Sequence, residues 1–150
     1  MNLTSEIKEF IDRSVLCWLA TVSEESIPNV SPKEIFNYYE KDKIVIANIA
    51  SPQTVRNIKQ NENVCVSFMD ILIQKGFQVK GKARIVYKTD SKFLEMEVIL
   101  NKMTGGDFPF STITEITIEQ VKPIIAPKYI LYPDTTEDEQ IKSAKKMYGL

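Results

Sequence analysis

Hydrophobic side chains recur along the chain at two spacings, one typical of helices and one typical of strands. The helical spacing occurs in residues 3–11, where Thr4 is a good N-cap, and predicts an amphipathic helix that ends near Ser14. The same spacing in residues 90–102 predicts a second helix, and a capping-box pattern predicts a last one over residues 138–148. Helices are therefore expected near both ends of the chain and between two of its strands.

The strand-like segments are short, apolar and bounded by turn residues. They cover residues 15–22, 27–39, 42–50, 64–70, 76–88 and 113–125. Pro28 and Pro32 cannot donate to a hydrogen-bond ladder, so the second segment is expected at a sheet edge or in an irregular strand. Gly81 interrupts the most regular alternation and is expected at a bulge or a close backbone approach. Because parallel strands need a crossover helix at nearly every step, these six strands with few helices predict a small antiparallel barrel.

Residues 51–60, between the third and fourth strands, predict a short helix with a cationic side. Ser51 is a good N-cap, and Pro52 is favoured at the first helical position. The free N–H groups of the first turn and the Thr54 hydroxyl suit an anionic group such as phosphate, and Arg56 adds positive charge. A capped helix that packs on the barrel and binds nothing is the alternative interpretation.

The composition excludes several classes of function. The chain has 150 residues, which suits a single domain over residues 1–150, and its 43% hydrophobic and 26% charged residues are typical of folded globular proteins. It has no histidine, which excludes a histidine–metal site, a Ser-His-Asp relay and an axial histidine for haem. Redox or acid–base chemistry would therefore need a bound cofactor or a lysine, tyrosine or carboxylate group.

Charge and hydropathy narrow the expected partners. A net charge of −1 does not favour nucleic acid, and the polar face of residues 78–84 carries cations without interleaved aromatic rings, so no nucleic-acid partner is expected. The apolar runs are too short to span a membrane and the first residues lack a signal-peptide core, so a cytoplasmic protein without a membrane partner is expected. Cys17 and Cys65 predict two reduced thiols rather than a bridge or a metal pair, and no metal site is expected.

Three stretches together resemble a known family. They read LATVSEESIPNVSPKEIF (19–36), IVIANIASPQTVRNIKQNENVCVSF (44–68) and GFQVKGKARI (76–85). Their order and spacing are similar to those of the pyridoxamine 5'-phosphate oxidase-like, FMN-binding split-barrel proteins. The resemblance implies a mainly β fold, a six-stranded antiparallel Greek-key split barrel with flanking helices, and a homodimer that holds FMN at its interface. Residues 127–150 would form a C-terminal tail and helix.

The resemblance also implies a set of cofactor-binding residues. The ring and ribityl parts of FMN would lie against Ser31, Pro32, Lys33, Ala47, Asn48 and Ile49, and the phosphate against Ser51, Gln53 and Thr54. Gln78 matches the family's glutamine near the flavin ring. The implied phosphate residues coincide with the helix start that the free N–H groups favour. No catalytic residue is assigned.

The chain departs from the true oxidases at two places. Those enzymes carry an Arg-rich stretch at 31–36 and an Arg-Lys pair near 52–54, where this chain reads SPKEIF and PQT. Lys33, Arg56 or a lysine of KGKAR would then supply the cation for the phosphate. The substrate-binding histidine and arginine segment has no counterpart, so a smaller FMN-binding relative is favoured over a vitamin B6 oxidase.

Two kinds of function follow from these observations. The first is an FMN-dependent oxidoreductase that acts on a small substrate or a nicotinamide cofactor. The alternative is a non-catalytic flavin-binding or electron-carrier protein, or a cofactor-free dimeric barrel module. A related deazaflavin remains open as cofactor. Candidates to stack on a ring are Tyr38, Tyr39, Phe108, Phe110 and Tyr129.

Overall fold

A computed structural model describes residues 1–150 and contains seven strands and five helices. The strands are β1 (Cys17–Val22), β2 (Pro28–Lys33), β3 (Phe36–Tyr39), β4 (Lys43–Ala47), β5 (Asn63–Asp70), β6 (Lys75–Tyr87) and β7 (Thr112–Ile125). The helices are α1 (Ser5–Arg13), α2 (Pro52–Gln60), α3 (Phe93–Thr104), α4 (Pro127–Leu131) and α5 (Glu137–Tyr148). None of these helices is both long and apolar enough to cross a bilayer.

The seven strands form one antiparallel sheet in the order β2-β1-β5-β6-β7-β4-β3. β2 and β3 lie at opposite edges, although only Glu34 and Ile35 separate them in the chain. The sheet must therefore curl until its two edges approach each other at this corner. The Ala47 N–H donates to the Ile35 carbonyl over 3.0 Å, which joins the corner to β4. The result is the split barrel that the sequence predicts.

The predicted count of six strands is wrong, because residues 27–39 form two strands and not one. Lys33 and Phe36 are both buried, and the two residues between them, Glu34 and Ile35, are more exposed than either. A spacing of three breaks the period of two that a single strand requires. The chain turns at this break and passes from one sheet edge to the other. The expectation that Pro28 and Pro32 mark an edge strand is confirmed by the position of β2.

Two hydrophobic clusters hold the barrel together. The larger fills the barrel interior, where Leu19, Val66 and Phe68 meet residues of α1 and Ile58 of α2. The smaller lies on the outer face of β3, β4 and β7, which α3 covers. On the other half of the outer face, the side chains of Trp18 and Val30 are 48% and 59% exposed. No element of the chain covers this second half.

Local predictions hold for most elements. Thr4 caps α1 by accepting from the Ile7 N–H, and the capping box of α5 is present. Gly81 lies at a register shift between β6 and β7, where an added Cβ would stand 2.1 Å from the Thr117 carbonyl oxygen. The prediction of a close backbone approach is thus confirmed. Both cysteines are free.

One helix boundary and one additional helix differ from the sequence-based expectation. α3 begins at Phe93 rather than near residue 90, because Asp90 accepts from the Lys92 N–H and closes a turn before the helix. α4 was not predicted, since five residues are too few to give a helical period.

Candidate functional site

The connection between β4 and α2 contains an unfavourable backbone conformation. Ala50 has φ of 49°, in the left-handed region, immediately before the first residues of α2. For a residue with a Cβ atom this conformation costs about 1–2 kcal/mol. Such strain persists only where the surroundings hold the backbone in place, and it is concentrated at functional sites.

The N-terminus of α2 has no side-chain cap. Ser51 occupies the N-cap position, as predicted, but its hydroxyl donates to the Ile49 carbonyl over 2.9 Å and accepts nothing from the helix. Pro52 starts the helix, and the first turn carries no acidic residue. The N–H groups of Gln53 and Thr54 therefore lack an intrahelical acceptor and point toward the connection. This end of α2 can hold an anion.

A buried lysine lies beside this helix end. Lys33 is only 7% exposed, and its Nζ donates to the Ser51 hydroxyl. None of the ion pairs in the protein includes Lys33. Burial lowers the pKa of this ammonium from its usual value. A buried cation without an anionic partner is unfavourable, so a bound anion would be strongly stabilised here.

The cysteine next to Lys33 is not a nucleophile. Cys17 lies directly opposite Lys33 on the neighbouring strand and is fully buried. Burial raises the pKa of its thiol to about 12, against a smaller opposing effect from Lys33. The thiol is therefore protonated at neutral pH, where a thiolate would be needed for attack.

Hydroxyl and amide groups fix the remainder of the junction. The Ser31 and Thr54 hydroxyls are 3.3 Å apart, and Thr54 is 2% exposed. The exposed Gln53 donates to Asn57 over 2.7 Å and accepts from Arg56 over 2.9 Å. The Ser31–Thr54 contact holds the first turn of α2 against β2, while the two bonds of Gln53 stay within the helix.

Asn48 is held by β7. Its amide nitrogen donates to the Thr112 hydroxyl over 3.2 Å, and its amide oxygen accepts from the Thr114 hydroxyl over 2.8 Å. Its backbone N–H also donates to the Thr112 carbonyl. These three bonds fix the direction in which β4 leaves the sheet.

A groove of about 510 Å³ opens next to the junction. Its volume lies within the range of roughly 300–1,000 Å³ that is usual for small-molecule sites. It is lined by Val15, Pro32, Lys33, Glu34, Ile35, Ala47, Ile49, Met103, Thr104 and Phe108. Four predicted ring-contacting residues are therefore gathered here, and Lys33 joins the groove to the helix end.

Gln78 lies apart from the other predicted residues. Gln78 of β6 pairs with Ser67 of β5, Ser67 pairs with Trp18 of β1, and Trp18 pairs with Pro32 of β2. Three strand spacings separate Gln78 from Pro32, a distance of about 14 Å. The side chains of this row point to the bare outer face of the sheet, and of these residues only Pro32, at the sheet edge, lines the groove. One copy of the chain therefore does not bring Gln78 to the groove.

Sequence reasoning missed one side of the groove. Val15, Met103 and Thr104 were not considered, and Phe108 was only one of five aromatic candidates. Of those five, Phe108 alone lines the groove, while Phe110 is buried and the hydroxyls of Tyr39 and Tyr129 bond to Glu95 and the Ile73 carbonyl. The only signal was the loop sequence MTGGDFPF, in which two glycines precede two aromatic residues.

The family model described as Pyridoxamine 5'-phosphate oxidase matches residues 3–125. The chain belongs to the pyridoxamine 5'-phosphate oxidase family. The match covers every strand and the whole candidate site, and it ends before α4. A comparison with proteins of curated function found no match.

Solved structures share the fold at low sequence identity. HupZ of Group A Streptococcus has a TM-score of 0.70 and 22% identity over 83% of this chain and 95% of its own. An FMN-binding protein from Syntrophomonas wolfei has a TM-score of 0.63 and 16% identity over 78% and 82%. The heme storage protein HutZ from Vibrio cholerae has a TM-score of 0.63 and 20% identity over 83% and 95%. These likenesses establish the fold and leave the ligand to be argued from the residues.

Proposed function

We propose that the protein binds FMN and functions as a homodimeric, FMN-dependent oxidoreductase. The observation that supports FMN best is Lys33, a buried cation without a carboxylate partner beside the uncapped start of α2. A phosphate bound there would accept from the free N–H groups of the first turn and neutralise the ammonium. Such a site is chemically selective for an anionic group, which the phosphate of FMN supplies.

In this proposal, different residues bind different parts of the cofactor. Ser51, Gln53, Thr54 and Lys33 hold the phosphate, while Pro32, Ala47 and Ile49 provide a mainly apolar surface for the flavin ring. Asn48 and Ser31 position the two strands between which the cofactor would lie. Bound FMN supplies hydride or electron transfer, and the chain's role is to orient the ring and restrict access to it.

A negative charge added to the first turn of α2 tests the phosphate site. We expect Gln53→Glu to weaken FMN binding about tenfold, because a carboxylate would face the phosphate. Stability should change by less than about 1 kcal/mol, since a favourable interaction with the helix dipole offsets the lost hydrogen bond to Asn57. The measurement is quenching of flavin fluorescence during titration of the FMN-free protein.

The control is Gln60→Glu, which adds the same charge at the exposed far end of α2. It should leave the FMN dissociation constant within about twofold of the wild-type value, because the added charge lies a full helix length from the phosphate. A wild-type protein that does not take up FMN, or equal affinities for both variants and wild type, would reject the phosphate site.

The position of Gln78 and the bare half of the sheet support the homodimer in this proposal. Gln78 cannot reach the groove of its own chain, whereas a second copy packed on the bare face would bring its own Gln78 to that groove. Trp18 and Val30 give this face an apolar character that suits such an interface. The flavin site would then be complete only in the dimer.

Trp18→Glu tests this arrangement, because a carboxylate at the interface would be unfavourable while the half-exposed position spares the fold. We expect light scattering to give a monomer mass at micromolar concentration and FMN binding to weaken. Leu94→Glu, at an exposed residue of α3, should stay dimeric. A monomeric wild-type protein, or a monomeric variant with unchanged FMN affinity, would reject the shared site.

The chain also admits a non-catalytic alternative, a flavin-binding electron carrier. Cys17 is protonated, and the groove offers only Lys33, Glu34 and Thr104 as polar groups, so no acid–base pair stands out. NADH and NADPH oxidation by the FMN-loaded protein, with ferricyanide as acceptor, distinguishes the two. Turnover supports the oxidoreductase. Stable flavin without turnover favours the carrier.

The absence of histidine removes an imidazole ligand for haem, so we do not extend the heme storage described for HutZ to this chain.

A further inference from the structure

The groove has a second wall that the FMN proposal does not use. We call Val15, Met103 and Phe108 the apolar wall, and Lys33 with Ala47 and Ile49, which lead to the start of α2, the charged wall. The residues of the apolar wall are 73%, 45% and 54% exposed. Three large apolar side chains that line one concave surface and stay exposed to water indicate a surface that binds an apolar partner.

The loop after α3 presents Phe108 to the groove for a structural reason. Gly105 ends α3 with φ of 63°, and Gly106 continues the turn with φ of 85°. Phe110 then anchors the loop, since it is 9% exposed and packs 6.5 Å from the ring of Phe93. Pro109 limits the backbone between the two aromatic residues. The loop is thus fixed at both ends, and Phe108 contributes nothing to the buried core.

We infer that the apolar wall is the binding surface for a second ligand, a flat and mainly apolar ring compound that lies in the groove over the cofactor. This inference rests on the proposed function, because the charged wall must hold FMN for the second ligand to meet it. The apolar wall offers no charged group to the ligand, whereas Lys33 of the charged wall is committed to the phosphate in this proposal. Met103 adapts to rings of different outline because its side chain is flexible, and Phe108 offers a face for stacking.

The test uses 2-methyl-1,4-naphthoquinone as a probe, with its binding to FMN-loaded protein measured by equilibrium dialysis. We expect Phe108→Ala to weaken probe binding about fivefold or more, because a ring stacking contact is lost. Met103→Ala should weaken it less, and Phe108→Tyr should restore the wild-type value. Leu94→Ala, which removes an equally exposed side chain of α3 outside the groove, should change nothing.

A parallel FMN titration of each variant separates this inference from the proposed function. Unchanged FMN affinity together with weaker probe binding supports the apolar wall as a site for the second ligand. Equal loss of FMN and probe would assign the wall to the cofactor and overturn the inference. Unchanged probe binding in the variants, or no probe binding by loaded wild type, would also overturn it while leaving FMN binding intact. Failure of the wild-type protein to bind FMN would overturn both.

Discussion

The charged wall and the apolar wall face the same groove but are built in opposite ways. The charged wall comes from β2 and from the connection between β4 and α2, where hydrogen bonds fix Lys33, Asn48 and Ser51 in place. The apolar wall comes from the turn before β1, the last turn of α3 and the loop after α3, and its side chains are exposed. The difference indicates that the surface proposed for the cofactor is set by the barrel itself, while the surface proposed for the second ligand lies on segments outside the sheet, which can vary without altering the barrel.

Removing the charge of Lys33 should have the largest effect on the charged wall. We expect Lys33→Met to weaken FMN binding about 50- to 100-fold, since a charge-assisted contact to phosphate and a buried counter-charge are both lost. The free energy of unfolding should stay equal or rise, because a buried unpaired cation is replaced by an apolar side chain. Fluorescence titration and thermal melting give the two values. Tight FMN binding by this variant would show that another cation holds the phosphate.

The pH dependence of FMN binding should follow Lys33. Burial lowers the pKa of Lys33 from 10.5, so the folded, FMN-free protein loses this proton at a lower pH than the unfolded chain. Bound phosphate favours the ammonium, so the contribution of Lys33 to FMN affinity should be constant below the folded pKa and fall as pH rises through it. This fall in FMN affinity cannot exceed the factor by which Lys33→Met weakens FMN binding.

The same pKa shift has the opposite effect on the stability of the FMN-free protein. The unfolded chain binds more protons between the lowered pKa and the ordinary value of 10.5, so the contribution of Lys33 to stability should become less unfavourable as pH rises across this interval. Lys33→Arg keeps its charge and should flatten both profiles. Identical pH profiles for the wild type and Lys33→Arg would rule out Lys33 as the titrating group.

Relieving the strain at Ala50 should have the smallest effect. Ala50→Gly should raise the free energy of unfolding by at most about 1 kcal/mol, because glycine adopts a positive φ without cost but is more flexible when unfolded. FMN affinity should fall no more than about threefold as the junction loosens. Ala47→Gly, in the regular part of β4, is the matched control and should destabilise the protein. A destabilised Ala50→Gly variant would show that the left-handed conformation carries no strain.

The sequence predicted most elements because their signals are local. The cap of α1 at Thr4, the capping box of α5 and the close approach at Gly81 are each encoded within a few residues. The strand count was wrong because the break between Lys33 and Phe36 becomes visible only when both residues are known to be buried. The alternation of apolar and polar residues alone predicts one strand over residues 27–39.

The candidate site, like the fold, could be predicted from the sequence only in part. The start of α2 was identified from Ser-Pro and the free N–H groups that must follow, since these depend only on neighbouring residues. The cation was left open among three choices, and only the burial of Lys33 beside Ser51 singles it out. Met103, in the last turn of α3, and Val15, in the turn before β1, carried no signal, because a single exposed apolar residue has no local pattern that marks it as part of a groove.

By itself, therefore, the sequence determined a mainly antiparallel barrel, an anion-suited helix start and a chemistry that needs no histidine. Those properties follow from residue types and short spacings. The tertiary structure decided which sheet edges meet, which lysine is buried without an anionic partner, and which distant segments line the groove. These properties depend on the curl of the sheet, which brings residues 15, 33, 47 and 108 together, and no periodicity along the chain encodes that curl.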